Sequence, residues 1–275
     1  MLALYAVFLL ALAIILVIAL PPLVRLMRRQ RLNEQPLPPG WERILREHWR
    51  LYPRLPVNVR VQIHQRLKLL MSETRFYGCA GLTVTDDMKL LILAQASLVY
   101  QHASLDAPPA VLLYPSAYVR DDEQVDEAGV VTRDRHVMLG ESWEQGRVIL
   151  SWDEIEHDLT SLDGHNLVLH EYAHQVDGES GDMDGAPLFL DPDARRQWQA
   201  VMSDAYEHLV ASVERGTEPA IDPYAATAPE EFFAVTTEYF FTAPMTLYST
   251  YPAVYEQLRQ YYGEETREWF TRCPA

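Results

Sequence analysis

The sequence predicts an α+β fold: a domain of short strands set between helical regions, with a helix of metal-binding character packed on a small sheet and one N-terminal transmembrane helix ahead of it. Three observations lead there. Leu2 to Leu20 is uninterrupted apolar. Short apolar runs bounded by turn residues occupy the middle of the chain. The pentapeptide His170-Glu171-Tyr172-Ala173-His174 lies in an apolar helical flank, with Leu167, Val168 and Leu169 before it and Val176 after it.

Taken in order, the leading run is long enough to cross a bilayer, since about 20 apolar residues span the hydrocarbon core. Pro21, Pro22, Leu23 and Val24 extend it to Arg25. A cleaved signal peptide would want a basic region before a shorter apolar core, whereas Met1 leads directly into this one. The positive charges follow at Arg25, Arg28, Arg29 and Arg31, which by the positive-inside rule puts the C-terminal side in the cytoplasm. The expected division is a transmembrane anchor over 1–27, a basic then Pro-rich linker over 28–40, and one domain over 41–275. The expected location is a bacterial inner membrane, single-pass, with the catalytic domain cytoplasmic.

Within the domain, Trp41 to about Gln101 reads as helical, and Val57 to Met71 and Met88 to His102 are its most periodic stretches. Ala110 to Tyr114, Gly129 to Thr132 and Arg147 to Ser151 read as strands. After the pentapeptide helix comes a long helix from about Asp193 to Arg215, then further helices to the C-terminus.

Charge is uneven along the chain. The net charge of −16 combines a basic first hundred residues, 13 Lys+Arg against 6 Asp+Glu, with an acidic remainder of 10 against 33. An acidic half repels a phosphate backbone and argues against a nucleic-acid partner; it serves solubility, or a preference for basic or free-amine substrates. Cys79 and Cys273 have no C-x-x-C spacing, so neither a disulfide framework nor a thiolate metal site is expected.

The pentapeptide carries the chemistry. Histidines at i and i+4 lie one turn apart on one helix face, so both imidazoles can ligate a single zinc ion. Glu171 then faces the metal's open side, where it can take a proton from a zinc-activated water, the H-E-x-x-H logic of a metallopeptidase. A catalytic zinc keeps three protein ligands. A third histidine in the metzincin manner is excluded, because Asp177 and Ser180 stand where glycine and histidine are needed.

A carboxylate from a second helix is the alternative, and Thr227 to Tyr239 offers one. Thr227 followed by Glu230 has the form of a capping box, which makes Glu230 structural. Glu231 and Glu238 are two turns apart on one face, with Ala234 and Val235 between them. Glu231 is the expected third ligand. Glu238 either steadies a histidine or an arginine from behind or forms a buried ion pair without a catalytic part. Asp177, seven residues after His170, either supports a ligand or is a polar residue ending the helix. The loop of Asp177, Glu179, Asp182 and Asp184 lacks the distal bidentate glutamate of a calcium loop and reads as solvated acid. Histidines 48, 64, 102, 136, 157, 165 and 208 show no ligand spacing, and Gly140-Glu141-Ser142-Trp143-Glu144 misses the final glycine of a serine-nucleophile elbow.

Several motifs in order resemble one family. Leu113-Tyr114-Pro115, Ser142 to Gly146, Asn166 to Asp177, Gly181-Asp182, Asp222 to Thr227 and the helix from Glu231 to Phe241 resemble the Mlc titration factor A family, glucose-regulated zinc metallopeptidases related to the gluzincins, over roughly residues 40 to 270. The resemblance implies a zincin-like metallopeptidase domain with one Zn2+ per chain on His170, His174 and Glu231. It also marks Tyr224 as a donor to the oxyanion of peptide hydrolysis, although a tyrosine between Pro223 and Pro229 could simply pack its loop. As partners it implies a peptide or protein substrate and a transcriptional regulator, whose sequestration is the alternative to peptidase function. An apolar leader such as Leu2 to Leu20 departs from the soluble members. Substrate is expected along an edge strand, Arg147 to Ser151, by β-augmentation.

Overall fold

A computed structural model describes residues 34–100, 110–116, 119–125, 131–137, 147–189 and 191–271, with Tyr5, Leu20, Val24, Met27 and residues 29–32 ahead of them. Helices α1 (Trp41–His48) and α2 (Val57–Glu73) lead to strand β1 (Arg75–Gly78), helix α3 (Asp86–Val99) and strand β2 (Ala110–Tyr114). Strands β3 (Val119–Val125) and β4 (Val131–Val137) precede β5 (Arg147–Ser151). Helices α4 (Trp152–Thr160), α5 (Leu167–Asp177), α6 (Pro192–Glu214), α7 (Pro229–Thr242), α8 (Pro244–Thr250), α9 (Pro252–Tyr262) and α10 (Arg267–Thr271) complete the order. The α+β expectation holds, in a mostly helical form.

The core sheet is parallel, in the order β1-β2-β5, with Phe76 opposite Val111 and Val111 opposite Val148. Parallel strands are covered on both faces, which is why Ala110-Val111-Leu112-Leu113 is apolar throughout rather than alternating. Val111 and Leu113 are fully buried. Strands β3 and β4 form a separate antiparallel pair. The expected strands Ala110 to Tyr114 and Arg147 to Ser151 match the central strand β2 and the edge strand β5, Gly129 to Thr132 overlaps β4 only in part, and β1 and β3 were not expected. Four-residue β1 follows α2 after a single residue, and β3 carries Arg120-Asp121-Asp122-Glu123, so neither shows an apolar signal.

Helix α3 is buried from Leu90 to Val99, as a helix apolar on every side must be. It begins at Asp86, two residues before its periodic pattern, because the Thr85 hydroxyl accepts from the Met88 amide at 3.2 Å. Helix α5 packs against α3, α7 and β5. Every residue of α5 except Gln175 is buried, and Leu167, Val168 and Leu169 each contribute about 1.5–3 kcal/mol by leaving water.

The expected inner-membrane location is corrected. Among the described residues no helix is long and apolar enough to cross a membrane. The longest, α6, has 23 residues but carries Asp193, Arg195, Arg196, Asp204, Glu207 and Glu214, each costly in hydrocarbon. The run Leu2 to Leu20, apart from Tyr5 and Leu20, lies outside the described residues.

Candidate metal centre

Helix α5 begins where Asn166 caps it: its side-chain oxygen accepts from the Leu169 amide at 2.9 Å. The next free amide, of Leu167, donates to Asp158 Oδ2 of α4 at 2.7 Å, and the Asn166 amide donates to Glu238 Oε2 of α7. The helix's own cap and two other helices, α4 and α7, thus hold one helix start. Two glycines fix α5 to α7 at its ends. Gly164, at φ +106°, lies so close to the Tyr239 ring that a Cβ would fall 2.4 Å from it. Gly185, at φ +74°, presses on the carbonyl of Pro229 at the start of α7, where a Cβ would approach to 2.5 Å.

With α5 and α7 so placed, His170, His174 and Glu231 converge, their ligand atoms all within 4.8 Å of one another. His170 Nε2 lies 3.0 Å from Glu231 Oε2 and 3.1 Å from His174 Nε2, and His174 Nε2 lies 3.3 Å from the same oxygen. Behind them, Glu238 Oε1 is 2.8 Å from His170 Nδ1. A carboxylate there fixes the proton on Nδ1, so the Nε2 of a neutral His170 presents a lone pair toward Glu231. Glu231 Oε2 is buried and faces the Nε2 atoms of both imidazoles. Lone pairs on neighbouring atoms at 3.0 Å repel unless a positive charge sits among them.

The titration of these groups expresses the same demand. Burial opposes a charge on His170, yet Glu231 and Glu238 overcome it and raise the imidazole to about 10. Burial likewise opposes the Glu231 anion, but His170 and His174 bring it down to about 2. His174 falls to about 4, by burial first and the charge on His170 second, against the pull of Glu231. Without a metal, His170 and Glu231 therefore favour each other's charged forms. Two imidazoles and a carboxylate are equally a fitting donor set for a borderline-soft divalent cation.

Glu171 is buried and one of its oxygens has no hydrogen-bond partner. Burial, with Glu231 and Glu238 adding to it and His170 opposing, pushes its carboxyl up to about 8. Tyr224, on a turn of 3₁₀ helix spanning Pro223–Ala226, is partly exposed with its ring centre 6.1 Å from that of His170. Burial, then the charge on Glu231, holds its phenol up at about 12.

Two expectations change. The capping box of Thr227 and Glu230 does not form: Thr227 Oγ1 donates to the Tyr224 carbonyl at 2.7 Å, and α7 starts from Ala228 without a side-chain cap. Pro229 at the first helical position stiffens that start instead. Asp177, fully buried, makes its hydrogen bond away from the ligands, accepting from the Gly185 amide at 2.9 Å. It thereby holds the loop that presses on Pro229. Sequence reading missed Asp158, which carries no local signal. His165, which shows no ligand spacing, nevertheless brings its Nδ1 to 3.4 Å from Glu238 Oε2. Asn166 just before an apolar helix is a cap signal that the residues do carry.

Comparison with known proteins adds to this geometry. The model of the family described as glucose-regulated metallo-peptidase M90 matches residues 24–263. An uncharacterized protein of Synechocystis is 35% identical over 240 residues, covering 86% of this chain and 87% of its own length. The Mlc titration factor A of Pectobacterium atrosepticum is 32% identical over 231 residues, with 80% and 86% covered. That of Serratia proteamaculans is 36% identical over 203 residues, with 71% and 76% covered. The motifs and the family match agree: the chain belongs to the glucose-regulated M90 metallopeptidase family.

Proposed function

We propose that the protein is a zinc-dependent peptidase whose metal is held by His170, His174 and Glu231. The observation that carries this reading is the orientation of His170, whose Nδ1 is taken by Glu238 while its Nε2 meets His174 Nε2 and Glu231 Oε2. When bound, the ion supplies Lewis-acid polarisation of a peptide carbonyl and an acidified water.

The remaining work falls to the chain. Glu171 takes a proton from the attacking water and returns it to the leaving amine; buried beside the two histidines, with one oxygen free of hydrogen bonds, it has an acceptor to offer that water. Tyr224, still protonated at neutral pH, donates to the developing oxyanion. Glu238 keeps the His170 proton on Nδ1. Strand β5 is an edge of the three-stranded sheet among the described residues and packs against α5, so an extended peptide pairing with it would lie beside the site.

A second reading concerns a partner. Relatives bear the name Mlc titration factor A, and by that likeness a transcriptional regulator is proposed as a protein that this chain binds, alongside catalysis. The test of peptidase function is Glu171→Gln. It should keep metal and fold and lose peptide turnover, whereas a purely structural zinc module would show no turnover in either protein. The same inactive variant in a pull-down tests the regulator.

A further inference from the structure

Helix α3 contributes a residue that neither the motifs nor the family match singles out. Gln95 is fully buried, and its amide makes two directed hydrogen bonds. Its Nε2 donates to the Leu91 carbonyl one turn back at 3.2 Å, and its Oε1 accepts from Asn166 Nδ2 at 2.8 Å. The first bond decides which end of the amide faces Asn166. That in turn decides the orientation of Asn166, whose Nδ2 must point at Gln95 so that its Oδ1 can receive the Leu169 amide.

The chain of contacts continues to the metal site. The Asn166 backbone amide donates to Glu238 Oε2, and Glu238 Oε1 faces His170 Nδ1 at 2.8 Å. Gln95, Asn166 and Glu238 are all buried, so no water substitutes freely for a lost partner. We infer that Gln95 is a positioning residue for the metal centre: acting through Asn166 and Glu238, it fixes the orientation in which His170 Nε2 meets a metal ion. The inference rests on the metal-site reading of His170, His174 and Glu231.

The Gln95–Asn166 contact can be cut from either side. Gln95→Met keeps the volume and removes both amide groups. Asn166→Ser keeps a good helix cap and removes the group that reaches Gln95. Ser97→Ala is the control, because Ser97 is equally buried in α3 and its hydroxyl bonds only the Leu93 carbonyl. Zinc dissociation constants are measured for each purified protein by competition with a chromophoric chelator, with thermal unfolding of the metal-free proteins recorded alongside.

Each of the first two variants should weaken zinc binding about tenfold, the lower end of the range for groups that orient a ligand, and Ser97→Ala should stay within about twofold. The double variant should be no weaker than about tenfold, since both changes break one contact. If Gln95→Met does not fold, Asn166→Ser alone decides. An unchanged zinc affinity with only a lowered unfolding temperature overturns the positioning role and leaves the metal site standing. Multiplicative losses in the double variant overturn it as well. Failure of the wild-type protein to bind zinc at all overturns both readings.

Discussion

Replacing Glu238 by Gln separates a group that orients a ligand from a merely buried ion pair. Both oxygens of Glu238 accept: one from the Asn166 amide, the other from His170 Nδ1 at 2.8 Å. A glutamine has one acceptor and one donor end. If its oxygen stays on Asn166, its NH2 group meets Nδ1, and His170 must move its proton to Nε2, the atom aimed at Glu231. If its oxygen turns to His170, the NH2 group meets the Asn166 amide and a buried donor goes unpaired. The first outcome removes the lone pair that the proposed site would offer a metal, and the second costs about 1–3 kcal/mol of stability. Losing such an orienting group weakens metal binding by about 10–100-fold, or roughly 1.4–2.7 kcal/mol. The assay is zinc affinity by chelator competition, with imidazole nitrogen shifts reporting the His170 tautomer. A dissociation constant within about twofold of wild type, with His170 still protonated on Nδ1, would refute the reasoning.

Other changes have equally definite outcomes. Tyr224→Phe should lower kcat for a peptide substrate by about 10²-fold with KM little changed, the cost of removing one oxyanion donor; an equal loss confined to KM would make Tyr224 a packing residue. Asp177 is raised from 3.8 to about 7, by burial first and the charges of Asp184 and Glu230 next, against the Gly185 amide. Its folded form therefore holds a proton that the unfolded chain releases, and stability falls as pH rises through that window. Asp177→Asn keeps an acceptor for Gly185 without the charge, so its advantage over wild type in urea unfolding should grow by on the order of 2–3 kcal/mol between about pH 5 and about pH 8. A pH-independent difference would contradict that assignment. Gly164→Ala should destabilise by about 2–3 kcal/mol in denaturant melts, with partial relief when Tyr239 is also shortened to Leu; an unchanged midpoint would mean the loop is not pinned there.

The residues announce some of this architecture and conceal the rest. The H-E-x-x-H spacing and the apolar flank mark α5, and two glutamates two turns apart mark the face of α7 that meets it, because both signals are periodic and local. The choice of Glu231 over Glu230 rested on a capping box that does not form; what places Glu231 is the packing of α7 on α5, set by Gly164, Gly185 and Pro229. The supports of His170 are remote in the chain. Glu238, Asp158 and Gln95 reach the start of α5 from three other helices, and contacts separated by as many as 72 positions leave no local trace. The sheet is half legible: β2 and β5 are apolar runs, whereas β1 is four residues long and becomes a strand only by pairing with β2. Hydropathy alone suggested an inner-membrane protein, a location that no described helix supports.

The central claim is a three-ligand metal centre completed by Glu231, and metal content measures it most directly. Purified wild-type protein should carry one zinc per chain, and His170→Ala and Glu231→Ala should each lose it while Glu238→Ala retains a weakened site. Full zinc occupancy in Glu231→Ala together with loss in Glu238→Ala would contradict the account, because the carboxylate that faces both Nε2 atoms would then not be the one that holds the metal.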